Sequence, residues 1–255
     1  GSGLPMPTVQ RLVNRGLRRF GLQLQRVAPR APSAAPIDPA ELRQVRQLIH
    51  DAIADNPGDH AWETARRYFN PIRMAFYLEL VDLCAQAHRD LSQARVLEVG
   101  AYYGYVLRRL AQRWPGVQLY GSEMHPAVVP IAKALCPRAD VRQGDLVDLP
   151  FDGPFDLLIM SEVLEHLVDP DAALERLVGL TAPGGAVVVT VPNGREDHKA
   201  ANQFSPEHHS YSGHINFWSP ESWGYFLQRQ VGERGAVDHG QMASGHLYAI
   251  LRLHP

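Results

Sequence analysis

Carboxylates, glycines and histidines stand in this chain where chemistry could follow. The run Val96-Leu97-Glu98-Val99-Gly100-Ala101-Tyr102-Tyr103-Gly104 reads as a strand ending in an acidic residue and a glycine turn, with a helix to follow at Tyr105 to Arg113. Glycine at such a turn lets the backbone come close to a ligand. The next apolar run ends at Glu123, about 20 residues past the turn, where a doubly wound fold puts the carboxylate that accepts from ribose hydroxyls. The two features together point to an adenosine ligand. A plain strand-end cap is the alternative for Glu123, and equally for Asp145, which follows the third apolar run in Gly144-Asp145-Leu146.

An imidazole is the side chain best suited to take a proton from a hydroxyl near neutral pH, and 12 histidines compete for that work. His166 closes Ser161-Glu162-Val163-Leu164-Glu165-His166 just past the fourth apolar run, as a base or as a structural support. His208, His209 and His214 belong to a later segment, Pro206 to Trp218, that interleaves polar groups with Tyr211, Asn216 and Phe217. Such a mixture fits a sugar or a ring-bearing acceptor, so His208, His209, Tyr211 and Asn216 are candidate substrate contacts and His214 a candidate base. With Asp197 or His198 these histidines could instead hold a divalent ion, but no HExxH-like helical spacing is present and no metal is expected.

The elements that must position these residues follow from periodicity. From Glu41 to Leu91 apolar residues recur at helical spacing, interrupted at Asn56-Pro57-Gly58 and Asn70-Pro71. Tyr68, Phe69, Arg73 and Tyr77 could roof an acceptor from there; a helix packed on the core through Met74, Phe76 and Leu80 is the plainer reading. From Arg95 onward short apolar runs (Val96 to Val99, Gln118 to Ser122, Asp140 to Gln143, Leu157 to Met160, Ala186 to Val191) alternate with helical stretches, the signature of βαβ units and a mostly parallel sheet. A final run, His246 to Leu253, has no helix after it. Ahead of all this, Val9 to Val27 is a basic amphipathic pattern, a solvated helix or a weak anchor to a membrane surface, and Ala28 to Pro39 reads as a linker. Gly1 to Pro5 look like a tag remnant before Met6. The division expected is 1–40 for tag, basic segment and linker, 41–93 for an accessory helical lid, and 94–255 for a catalytic domain with a substrate-binding insertion at about 194–219.

Taken in order, VLEVG, Gly144-Asp145-Leu146, the VLEH of residues 163–166, Pro183-Gly184-Gly185 and Pro192-Asn193 resemble the class I S-adenosylmethionine-dependent methyltransferases, especially the ubiquinone-biosynthesis-type branch (types 11 and 23). The resemblance covers about Arg95 to Asn193. It implies an α/β fold, a Rossmann-like doubly wound, mostly parallel seven-stranded sheet with an N-terminal helical extension. It also implies S-adenosyl-L-methionine as cofactor, with S-adenosyl-L-homocysteine as product. Carried over by position, Glu98, Gly100 and Gly104 shape the methionine site, and Glu123, with Met124 beside it, holds the ribose. Asp145 and Leu146 read the adenine, and Ser161 and Glu162 line the wall at the sulfonium. Tyr102 stands where the family usually has glycine, so it could narrow the cofactor site or stack over methionine or acceptor. The phrase Gly213 to Phe217 resembles a His-aromatic segment of relatives, which singles out His214. The implied reaction is O-methylation of a small molecule or glycan; N-methylation and an inactive cofactor-binding scaffold are the alternatives.

Bulk properties narrow the partners. A formal charge of −2 gives no basic footprint for nucleic acid. A nicotinamide enzyme would favour GxGxxG at the first turn, which this chain lacks. Cys84 and Cys136 have no CxxC partner, no apolar run is long enough for a bilayer, and a cytoplasmic location is expected, with a homodimer left open.

Overall fold

Helix starts are written into the sequence as a capping residue followed by proline. The side chains of Asp38, Asn70, Asp169 and Ser219 accept hydrogen bonds from the amides of Ala40, Arg73, Ala172 and Ser222 at 2.8–3.2 Å. Each is followed by a proline whose missing N–H and fixed φ suit the first helical turn. The computed structural model describes residues 38–55, 68–195 and 213–255. The basic segment at Val9 to Val27 and most of the linker lie outside them. The four capped starts open α1 (Pro39–Asp55), α2 (Pro71–Ala87), α5 (Pro170–Leu180) and α6 (Pro220–Val231), while α3 (Tyr105–Arg113) and α4 (Val129–Leu135) connect strands.

The strands are β1 (Arg95–Val99), β2 (Gln118–Glu123), β3 (Asp140–Gln143), β4 (Phe155–Ser161), β5 (Thr181–Val191), β6 (Gly235–Gln241) and β7 (Leu247–Leu253), in one sheet of order β3-β2-β1-β4-β5-β7-β6. The first five are parallel to one another, and β7 runs antiparallel to both β5 and β6. Side-chain alternation sorts the core cleanly. Val96, Leu157, Ile159, Val188 and Ile250 point to the face packed by α2 and α3. Leu97, Leu158, Met160, Val187, Val189 and Leu251 point to the face packed by α5 and α6. A sheet covered on both faces needs such near-continuous apolar runs. α2 is part of this core, with Phe76, Leu80, Leu83 and Cys84 buried against the sheet.

Two features depart from the reading of the sequence. β5 begins at Thr181 rather than Ala186, because Thr181 pairs with Phe155 before the register shifts over the Pro183-Gly184-Gly185 turn. β6 carries no apolar run, since it is an edge strand with a neighbour on one side only and its side chains are largely intermediate or exposed. Cys84 and Cys136 are buried free thiols, and among the described residues no helix is long and apolar enough to cross a membrane.

Trp223 of α6 anchors this half of the molecule: it is fully buried, stacks on Phe226 and donates from Nε1 to the Tyr248 carbonyl at 3.0 Å. Trp223→Ala is expected to lower unfolding free energy by about 3–5 kcal/mol in urea titration. A loss under about 1 kcal/mol would show that α6 packs without this anchor.

Candidate active site

The carboxyl ends of β1, β2 and β4, with the turn after β3, converge on a cavity of about 830 Å³, closed on the helical side by Tyr68, Arg73 and Tyr77. Its volume falls in the range of about 300–1,000 Å³ usual for ligand pockets. Glu98, Gly100, Tyr102, Glu123, Met124, Asp145, Leu146, Ser161, Glu162, His166 and His214 all line it.

Gly100 at the end of β1 has φ +75, and a Cβ there would lie 2.7 Å from Val163 Cγ2, so the turn has room only for glycine. Tyr102 adopts φ +45, a left-handed conformation rare for a tyrosine, and its N–H donates to Glu123 Oε2 at 2.9 Å. His125 N–H donates to the other oxygen, Oε1, at 2.9 Å. Glu123 is thus a buried carboxylate held by one amide at each oxygen, and each oxygen has a second lone pair for a hydroxyl. The Tyr102 ring packs on Tyr68 and Tyr103, with centroids at 4.6 and 4.1 Å, and forms part of the wall rather than filling the cavity.

Glu98 is 4% exposed and its Oε2 has no hydrogen-bond partner. Burial, and behind it the charge of Glu123, push its pKa well above the ordinary carboxylate range. Ser161 Oγ and Thr190 Oγ1 are 2.7 Å apart, Thr190 Oγ1 donates to Glu162 Oε1 at 3.1 Å, and His246 Nε2 lies 3.2 Å from Glu162 Oε2. Glu162 has φ +57 and is fixed at the cavity wall by these contacts from β5 and the β6–β7 turn. At the far end Glu165, 1% exposed, sits with His166 Nε2 at 3.9 Å from its Oε1, and the His166 and His214 rings meet edge to face at 4.7 Å.

Several readings of the sequence change here. Gly104 does not line the cavity; at φ +73 it begins α3 against the Ala132 backbone. Asn216 does not line it either, because its side-chain amide donates to the carbonyls of Leu164 and Leu167 at 3.2 and 2.7 Å. Asp145 lines the cavity while its Oδ1 caps a turn through the amides of Val147 and Asp148. His208, His209 and Tyr211, like Asp197 and His198, lie outside the described residues. Glu165, Thr190 and His246 carried no assignment from sequence, although Glu165 stands one residue before His166.

The arrangement of turn, ribose-type carboxylate and adenine-side turn can be compared with known proteins. Residues 62–230 match the family model described as a methyltransferase domain. The chain belongs to the methyltransferase domain family. It is 29% identical over 152 residues to a trans-aconitate 2-methyltransferase of Pseudomonas paraeruginosa, covering 58% of this chain and 54% of that protein. It is 28% identical over 172 residues to a ubiquinone biosynthesis O-methyltransferase of Cereibacter sphaeroides, covering 63% and 66%. The chain therefore spans about half the length of the trans-aconitate methyltransferases it matches. Among solved structures, a plantazolicin methyltransferase, BpumL, in complex with a desmethyl analogue and S-adenosylhomocysteine, aligns at TM-score 0.62 with 12% identity over 85% of this chain and 99% of that one, a likeness of fold.

In a methyltransferase domain the cofactor is S-adenosylmethionine, and the residues present fit it. Glu123 suits the ribose diol, and the Gly100 turn gives the methionyl part a close approach to backbone. Arg73, whose guanidinium packs over the Tyr68 and Phe76 rings at 5.6 and 5.3 Å, is the one lysine or arginine among the described lining residues. A guanidinium there would suit a carboxylate, whether that of the methionyl part or, as read from sequence, one on the acceptor.

Glu123→Ala is expected to weaken S-adenosylhomocysteine binding by about 1–3 kcal/mol, because the ribose hydroxyls lose their acceptor in a buried site. Unchanged affinity in calorimetry would remove Glu123 from the ribose site. Glu98 supplies a pH test. With its pKa raised on folding, the native chain holds a proton that the unfolded chain has lost above about pH 4.3, so stability falls as pH rises from there toward the raised value. Glu98→Gln should raise Tm at pH 7 and lose that advantage below about pH 4. A Tm difference independent of pH would contradict this.

Proposed function

We propose that this methyltransferase transfers the methyl group of S-adenosylmethionine to a hydroxyl oxygen of a small molecule or glycan. The observation that carries the reading is the imidazole pair, His166 and His214, lining the same cavity as the ribose-type carboxylate Glu123. Methyl transfer from a sulfonium is an in-line displacement, favoured when the acceptor is held about 3–3.5 Å from the methyl carbon. A hydroxyl acceptor must also part with its proton, and imidazoles beside a buried carboxylate can assist that loss, as bases or by holding an ion. The fixed carboxylate of Glu162 lies on the wall of the same cavity, where it can orient the acceptor. Of the relatives' names, that of the ubiquinone biosynthesis O-methyltransferase agrees with transfer to oxygen.

The test is formation of S-adenosylhomocysteine from S-adenosylmethionine with a panel of hydroxylated acids, phenols and sugars, and with amines in parallel. Turnover with hydroxyl acceptors is the expected outcome; turnover confined to amines would replace this reading by N-methylation, and cofactor binding with no turnover on any acceptor would favour a scaffold. His214→Ala should lower kcat by about 10²–10⁴-fold while leaving cofactor affinity within about twofold. An unchanged kcat would take His214 out of the reaction.

A further inference from the structure

The imidazole end of the cavity is assembled with more care than a general base alone needs. One carboxylate oxygen of Glu165 and one ring nitrogen each of His166 and His214 lie within 4.8 Å of one another. Glu165 and His166 belong to a 3-10 turn, Leu164–His166, between β4 and α5, while His214 comes from a strap some 50 residues further on. Four hydrogen bonds tie that strap to the turn. The amides of Ile215 and Asn216 both donate to the Glu165 carbonyl, at 2.8 and 3.1 Å. The side chain of Asn216 donates to the carbonyls of Leu164 and Leu167 at 3.2 and 2.7 Å. Gly213, at φ +72, lets the strap pass the His166 ring, since a Cβ there would sit 3.1 Å from Nδ1. The polar residue that sequence assigned to a substrate thus holds two donors of a cluster in register.

We propose that Glu165, His166 and His214 bind one divalent first-row transition-metal ion, which ligates the acceptor hydroxyl. Two imidazoles and one carboxylate are donors such ions accept while keeping open positions for other ligands. Ligand distances of about 2.0–2.2 Å put donors of one ion roughly 3–3.5 Å apart. The three donors have to draw in from within 4.8 Å, and the His166 side chain, 40% exposed, has room to turn. Charge points the same way. The described wall carries Glu98, Glu123, Asp145, Glu162 and Glu165 against the single guanidinium of Arg73, and a carboxylate as buried as Glu165 is stabilised by a nearby cation.

The metal site stands on geometry; its role rests on the O-methylation reading above. An ion at this point lowers the pKa of a ligated hydroxyl. The hydroxyl proton passes to water, an oxygen lone pair forms the new O–C bond to the methyl carbon, and the C–S bond breaks with its electron pair returning to sulfur as the neutral thioether. The ion leaves the cycle unchanged. The histidines then act as ligands, and no general base is required of them.

The full chain, stripped with a chelator and dialysed, is titrated with zinc chloride by calorimetry and with cobalt(II) by visible absorption. One ion per chain is expected, with affinity reduced at least tenfold in both His214→Ala and Glu165→Gln, circular dichroism verifying that each folds, and retained in His50→Ala on α1. Equal affinity in wild type and His214→Ala would overturn the site. Methyl transfer that is abolished by chelation and restored by the ion, with S-adenosylhomocysteine affinity unchanged throughout, supports the role. Transfer that persists undiminished in the stripped protein overturns the role even if the ion binds. Ion binding lost in the two variants, in a protein that methylates no hydroxyl acceptor, would uphold the site and refute the proposed reaction instead.

Discussion

Desolvated carboxylate at the carboxyl edge of a parallel sheet is the constraint around which this molecule is arranged. Glu98, Glu123 and Glu165 are all under 5% exposed, and an unsupported charge in that setting is costly. Each is managed differently. Glu123 receives two backbone amides and can remain an anion. Glu98 has an oxygen with no hydrogen-bond partner, and its proton affinity rises under burial and the field of Glu123. Glu165 lies against an imidazole and is covered by the strap whose amides grip its own carbonyl.

Backbone irregularity follows from the same demand. Tyr102 and Glu162 both take positive φ, and each does so where its amide meets a fixed acceptor: Tyr102 at the Glu123 carboxylate, Glu162 at the Thr190 carbonyl. Strain of this kind persists when surrounding contacts over-determine it. For Tyr102 those contacts are aromatic, since its ring is wedged between Tyr68 and Tyr103, so the helical side of the cavity and the first strand turn support each other.

The sheet was legible because its signals are local. Short continuous apolar runs, the Asn70-Pro71 break and a glycine turn after β1 are each contained within a few residues, and most of the strand and helix boundaries they imply lie close to those observed. That Glu98, Gly100, Glu123 and Asp145 share one cavity was legible for the same reason, since each ends a strand or its turn. What escaped was set by contacts between distant segments. Nothing near Glu165 in sequence announces that His214 will meet it, because that meeting depends on Gly213 and Asn216 fitting a turn some 50 residues earlier. Asn216 looked like a ligand because it is polar among aromatics, and its amide turned out to serve the turn. β6 escaped because an edge strand has little apolar surface to advertise.

The β6–β7 turn has a consequence for how the molecule comes into being. Its Ala243 amide is held by Glu79 of α2, and its His246 meets both Phe76 and Glu162. Residues separated by up to about 170 positions therefore have to meet before the acceptor wall is finished, and such distant closures come late and slowly in folding. The β1–β2 pairing, by contrast, joins segments close in sequence and asks for no such distant closure. The amides that hold Glu123 come from no more than 21 positions away, while the contact that fixes Glu162 waits for His246, 84 positions later.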